Sequence, residues 1–209
     1  MILPDRDCPL CPRLVEFRHA ARAKFPDWHN APVPPFGPGE ARLLIVGLAP
    51  GLQGANRTGR PFTGDFAGNL LYATLKDFGL ARGEYEQRPD DTLQLVNCRI
   101  SNAVRCVPPE NKPTPEEIRI CNRFLADELA SLPNLKAVLA LGSIAHDAVL
   151  VGMGQRKSTA KFAHGARHAL PHGLSLFDSY HCSRYNTNTG RLTTEMFRDV
   201  VGRAAAAIG

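Results

Sequence analysis

The side chains able to do chemistry in this chain of 209 residues concentrate in a glycine-rich loop, a set of cysteines and a histidine-led loop near the C-terminus. The glycine-rich loop runs from Gly47-Leu48-Ala49-Pro50-Gly51 through Gly54, Gly59, Phe62 and Gly64 to Asp65. Its glycines let backbone approach a ligand closely. Phe62 adds a π face and Asp65 a carboxylate. A P-loop fits badly because no lysine follows these glycines, and a dinucleotide fingerprint fits badly because the loop is too long and contains Pro50. Asn102 follows a later apolar run, and its amide can both donate to and accept from a base edge.

Cys8 and Cys11 form a C-x2-C, while Cys106 follows a strand candidate and Cys121 lies on the next helix, with Pro108 and Pro109 between them. In a reducing compartment close cysteines suggest metal more than disulfide. Soft thiolates suit zinc or an iron–sulfur cluster, and spacing alone leaves that choice open. Cys98, inside an apolar run, reads as core, and Cys182 stays outside the set. His181 opens the third concentration, with Ser183, Arg184, Tyr185, Asn186 and Arg191 behind it, all types that contact phosphates or bases. Residues 156–168 form a basic stretch expected near the same site, with a solvated basic face as the alternative.

Positioning these groups requires strands and helices in alternation. Leu43–Val46 reads as a buried parallel strand, and Phe66 onward as a helix with Asp65 at its N-cap. Leu93–Ile100 is expected to be one strand, Ala137–Leu141 another and Leu174–Tyr180 the last. Thr114 with Glu117 forms a capping box ahead of a helix bearing Ile118, Cys121, Phe124, Leu125 and Leu129 on one face. A helix is expected from Ile144 to about Val151 and another from Thr193 to Ile208. Ala31–Glu40, rich in Pro and Gly, reads as a surface loop. The pattern predicts one α/β domain over residues 1–209 with a mainly parallel sheet and helices on both faces. The loops after parallel strands then share one edge.

The formal net charge of +5 permits an anionic partner. The N-terminus lacks a signal-peptide apolar region, and no run approaches the roughly 20 residues of a membrane span. A cytoplasmic protein without membrane contact is therefore expected.

Residues 47–51, 56–65 (Asn-Arg-Thr-Gly-Arg-Pro-Phe-Thr-Gly-Asp), 104–115 and 181–193 (His-Cys-Ser-Arg-Tyr-Asn-Thr-Asn-Thr-Gly-Arg-Leu-Thr) together resemble family 5, or UDGb-type, uracil-DNA glycosylases. The resemblance runs from Cys8 to the C-terminal helix. It implies a three-layer α/β/α sandwich around a four-stranded sheet, and a [4Fe-4S] cluster on Cys8, Cys11, Cys106 and Cys121. Related family 4 enzymes carry an acidic residue where Leu48 stands, which leaves Asp65 to handle water. Where other branches have His-Pro-Ser, this chain has His181-Cys182-Ser183. The implied reaction is removal of uracil, and of other deaminated bases such as hypoxanthine, from DNA to leave an abasic site. Gly47, Leu48, Ala49, Gly51, Phe62 and Asn102 would bind the extruded nucleotide, with Phe62 as stacking platform. Asp65 and His181 would be catalytic. Ser183, Arg184, Tyr185, Asn186 and Arg191 would meet DNA, with Arg184 or Tyr185 as a wedge. Double-stranded DNA is the expected partner, single-stranded DNA a further one, and a monomer the expected state. A non-catalytic iron–sulfur or zinc protein that binds nucleic acid is the competing class.

Overall fold

A computed structural model describes residues 1–209. In chain order the helices are α1 (Pro12–Lys24), α2 (Ala55–Thr58), α3 (Phe66–Asp77), α4 (Pro115–Ser131), α5 (Ser143–Gly152), α6 (Arg184–Asn188) and α7 (Thr194–Ala206). The strands are β1 (Leu43–Gly47), β2 (Ala81–Arg82), β3 (Gln94–Leu95), β4 (Cys98–Asn102), β5 (Ala137–Leu141), β6 (Arg167–Ala169) and β7 (Ser175–Ser179). The main sheet has the order β4-β1-β5-β7-β6. Its first four strands are parallel, and β6 extends it as a short antiparallel edge.

Every residue of β1, β4, β5 and β7 is buried, as expected of parallel strands covered on both faces. Alternation sends Leu43, Ile45, Leu139 and Phe177 to one face, where Leu71 and Leu75 of α3 and Phe197, Val200 and Val201 of α7 cover them. Leu44, Val46, Val138, Ala140 and Leu176 point the other way, against Leu125 and Leu129 of α4 and Ala145, Ala148 and Val149 of α5. A small satellite core of Leu14, Val104, Cys121 and Phe124 lies under α1. None of the helices is long and apolar enough to cross a membrane.

Helix starts follow the sequence closely. Thr114 and Glu117 make the reciprocal capping box of α4, and Asp65 caps α3 by accepting from the Gly68 N–H at 3.1 Å. Differences arise where partners distant in sequence decide. The expected strand 93–100 breaks at Val96-Asn97, because Asn97 takes a left-handed conformation (φ 54°) that ends β3 before β4 begins. The expected surface loop 31–40 is buried at Ala31, Pro32 and Val33. There the Val33 N–H donates to the Arg105 carbonyl, and Phe36 exchanges two backbone bonds with Ile100. The glycine loop contains the helical turn α2, and the basic stretch runs into β6.

Candidate active site

The loop after β1 leads to α3 on one face of the sheet, whereas the loop after β5 leads into α5 on the other. That divergence opens a crevice beyond the strand ends. A cavity of about 480 Å³ occupies it, lined by the loops after β1, β4, β5 and β7. Of the residues expected to touch a nucleotide, Leu48, Ala49, Gly51, Phe62, Asp65, Asn102, His181, Ser183 and Arg184 line it.

Gly47 does not line the cavity but permits it. A Cβ there would sit 2.5 Å from Asn102 Oδ1 and 2.8 Å from Phe62 Cζ. Asn102, its register partner at the end of β4, is only 3% exposed. The Asn102 amide makes no hydrogen bond within the protein and borders the cavity. A buried amide of that kind calls for a partner in the cavity.

Phe62 holds a left-handed conformation (φ 52°), which costs a non-glycine residue about 1–3 kcal/mol and requires outside support. The support is extensive. The Tyr85 hydroxyl donates to the Phe62 carbonyl at 3.0 Å and the Tyr72 hydroxyl to the Pro61 carbonyl at 2.5 Å. The neighbouring Arg60 forms a bidentate pair with Asp91 at 2.7 and 2.8 Å and lies against the rings of Phe36, Tyr72 and Tyr85. The Phe62 ring sits beside His181, with centroids 5.7 Å apart and planes 25° apart.

Asp65 uses Oδ1 for the helix cap. Its Oδ2 lies toward Gly54, where a Cβ would stand 2.7 Å away, so this approach requires glycine. Burial raises the Asp65 pKa, opposed by the N–H groups of Gly68 and Ala67. Asn111, on the 104–115 segment, also lines the cavity. Its Oδ1 and Asp65 Oδ2 both lie near 4 Å from the point where a Gly51 Cβ would be. Burial alone pulls His181 down to about 4, which makes it a neutral imidazole at neutral pH. Its ring has no hydrogen-bond partner in the protein, while the Asn186 amide fixes its backbone carbonyl at 2.8 Å.

The remaining members of the histidine loop separate by position. Ser183 lines the cavity, and its hydroxyl caps α6 through the Asn186 N–H. Arg184 lies over the Phe66 ring at 5.2 Å. Tyr185 is 71% exposed at the start of α6, outside the cavity lining. Arg191 rests on Tyr180, 4.5 Å from its ring centre, and does not line the cavity. Nor does any residue of the basic stretch 156–168. That stretch is tied to the sheet from behind: His146 sends Nδ1 to Asp178 at 2.7 Å and Nε2 to the Ala160 carbonyl at 3.0 Å, and His168 reaches the second Asp178 oxygen at 2.9 Å. Both His146 ring nitrogens are thus engaged within the protein, and neither is left free for a metal ion.

Cys8, Cys11, Cys106 and Cys121 converge on a separate small pocket walled by Leu10, Leu14, Val104 and Phe124. No two of the six cysteines are joined in a disulfide. Cys98 is buried in the main core and bonded to the Leu80 carbonyl, and Cys182 is buried against Ala67. Burial, then the neighbouring Cys121 charge, pushes Cys11 to about 11 and Cys106 to about 12. Four thiolates in such a pocket therefore need a cationic centre among them, and the donor set fits a thiolate-bound metal or cluster. This pocket forms where α1 and α4 meet the loop after β4, so Asn111 and the Cys106 segment belong to one stretch of chain.

Sequence inspection overlooked Arg60, Asp91, Tyr72 and Tyr85 as positioning groups, and Asn111 as a cavity residue. Asn111 stood inside a recognised motif, whereas nothing near Asp91 in sequence points to its distant partner.

The family model described as the uracil DNA glycosylase superfamily matches residues 34–204. The chain is 50% identical to a type-5 uracil-DNA glycosylase of Thermus thermophilus, with 97% of this chain and 94% of that protein covered. It is 42% identical to a type-5 uracil-DNA glycosylase of Pyrobaculum aerophilum, covering 97% and 90%. A type-4 uracil-DNA glycosylase of the latter organism is 36% identical over only 57% of this chain.

Proposed function

The chain belongs to the uracil DNA glycosylase superfamily, in its type-5 branch, and from that premise we propose that it is a DNA-repair enzyme hydrolysing the N-glycosidic bond of uracil in DNA and releasing the free base. The observation that carries the reading is the meeting, in one cavity, of an unpartnered base-reading amide (Asn102), a fixed aromatic face (Phe62), a neutral imidazole (His181) and a carboxylate with one free oxygen (Asp65).

Reaching the glycosidic bond requires extruding the nucleotide from the duplex, at a cost of about a few kcal/mol that is smallest for mismatched bases. Phe62 receives the base on its face, and because Tyr72, Tyr85 and Arg60 hold the loop beforehand, no ordering is needed when the base arrives. Asn102 offers donor and acceptor to the base edge. As the bond breaks, negative charge builds on the base and positive charge on the sugar. His181 donates a hydrogen bond from its neutral ring to the departing base, and the ionised Asp65 stabilises the sugar and orients water through its free oxygen, with Asn111 beside it. Such preorganised contacts each contribute about 2.7–4 kcal/mol to transition-state stabilisation. No lysine lines the cavity, which favours direct hydrolysis over a covalent imine and leaves an intact abasic site.

We extend the substrate range to other deaminated bases such as hypoxanthine, because Leu48 gives the cavity an apolar wall where the family 4 pattern has an acidic side chain. Duplex and single-stranded DNA are both proposed partners of a monomeric protein. Ser183 and Arg184 border the cavity, and Tyr185 and Asn186 follow them on α6. All four are proposed to meet DNA, and the exposed Tyr185 suits a wedge that fills the vacated stack. In the second pocket we propose a [4Fe-4S] cluster held by Cys8, Cys11, Cys106 and Cys121, which joins α1 and α4 to the loop carrying Asn111. Incubation with a uracil-containing oligonucleotide tests the proposal: free uracil and an alkali-labile strand support it, and an unaltered oligonucleotide refutes it.

A further inference from the structure

Resting on the proposed cluster, a second feature of the cysteine pocket concerns its surrounding charge. Arg18, on α1 and only 2% exposed, lines the pocket. Its Nη1 lies 3.9 Å from Cys106 Sγ and its Nη2 donates to the Cys8 carbonyl at 3.1 Å, while its buried Nε has no partner. No carboxylate pairs with it. Arg105 also borders the pocket and donates its backbone N–H to Cys121 Sγ at 3.3 Å. Its side chain bonds Glu128 through Nη2 but leaves Nε and Nη1 buried and unpartnered. Glu128 is shared with Arg99 as well, so two buried guanidiniums divide one buried carboxylate and Arg18 has none.

Buried, unpaired positive charge is strongly unfavourable unless something negative accompanies it. Four thiolates around an iron–sulfur core supply that charge, since the assembly is anionic overall. We propose that Arg18, assisted by Arg105, is the built-in countercharge of the cluster and holds it against oxidation. The more negative redox state gains most from a nearby cation, so Arg18 raises the potential at which the resting cluster gives up an electron.

The test titrates aerobically purified protein with ferricyanide, which takes one electron per cluster and becomes ferrocyanide. Absorbance near 400 nm and bound iron are followed in wild type, Arg18→Met and Arg18→Lys. Arg18→Met should lose its absorbance at least several-fold faster, with a lower midpoint potential, and Arg18→Lys should stay close to wild type because the charge remains. Equal bleaching of wild type and Arg18→Met overturns the inference. So does an Arg18→Lys as labile as Arg18→Met, since packing would then be the cause. If Arg18→Met does not fold, Arg18→Gln against Arg18→Lys makes the same comparison of charge. Wild-type protein without iron would instead refute the cluster itself, a separable outcome.

Discussion

Gly47 and Asn102 face each other at the ends of neighbouring parallel strands, so closely that a Cβ on Gly47 would lie 2.5 Å from the Asn102 amide oxygen. The same Cβ would press on the Phe62 ring at 2.8 Å. Gly47→Ala should therefore displace both the amide and the aromatic face. Disturbed base recognition of about 1–3 kcal/mol corresponds to roughly a 5- to 150-fold loss in single-turnover uracil excision. Thermal unfolding should change little. Full activity in Gly47→Ala would show that the cavity tolerates the shift.

Arg60 and Asp91 form a buried ion pair beneath the Phe62 loop, with side chains 7% and 0% exposed. Asp91→Ala should destabilise the fold by about 3–5 kcal/mol, because it strands a buried guanidinium. Burial opposes the ionised form of Asp91, but the Arg60 hydrogen bonds and the N–H groups of Glu86 and Leu93 pull its pKa down to about 2. A depressed carboxyl pKa stabilises the fold above the ordinary carboxylate range, and that contribution is lost as pH falls toward about 2. Denaturant unfolding of wild type and Asp91→Ala between neutral and acidic pH should show the gap narrowing as pH drops. A gap independent of pH would contradict the pairing.

The two proposed catalytic groups set the pH profile. Asp65 acts ionised, and burial raises its pKa above the ordinary 3.8. Single-turnover rate should therefore fall on the acid side at a pH above that value. His181 stays neutral down to about 4, so no inflection near 6.5 should appear. An inflection there that vanishes in His181→Ala would mean that the imidazole works as a cation.

Iron content separates the cysteines. Alanine at Cys8, Cys11, Cys106 or Cys121 should lower bound iron and melting temperature together, whereas Cys98→Ala and Cys182→Ala should retain iron and show only the modest destabilisation of a small core cavity. Iron retained in Cys106→Ala but lost in Cys98→Ala would reassign the site.

Much of this arrangement was legible in the chain itself. The apolar runs at 43–46 and 137–141 mark parallel strands because burial on both faces leaves no polar alternation, and Thr114 with Glu117 announces α4 locally. Asp65, Asn102 and His181 could be placed on one edge of the sheet because parallel strands end on the same side. The rest depends on distant partners. β6 is a polar edge strand, Arg167-His168-Ala169, whose one strand neighbour is β7. Asp91 meets Arg60 across 31 residues. The burial of Ala31–Val33 reflects bonds to Asn56 and Arg105 made through neighbouring Asn30 and Val33 themselves. Phe62 looked like a stacking face, but its left-handed backbone and the tyrosines holding it appear only in three dimensions.

The most direct measurement is single-turnover cleavage of a uracil-containing duplex by wild type and Asp65→Ala, with binding of the abasic product followed in parallel. Loss of one transition-state contact of about 2.7–4 kcal/mol predicts a rate reduced roughly 100- to 1000-fold. Affinity for abasic DNA should remain close to wild type, and borohydride should trap no adduct with either protein. An Asp65→Ala variant that cleaves at the wild-type rate, or a borohydride-trapped adduct, would contradict hydrolysis directed by Asp65.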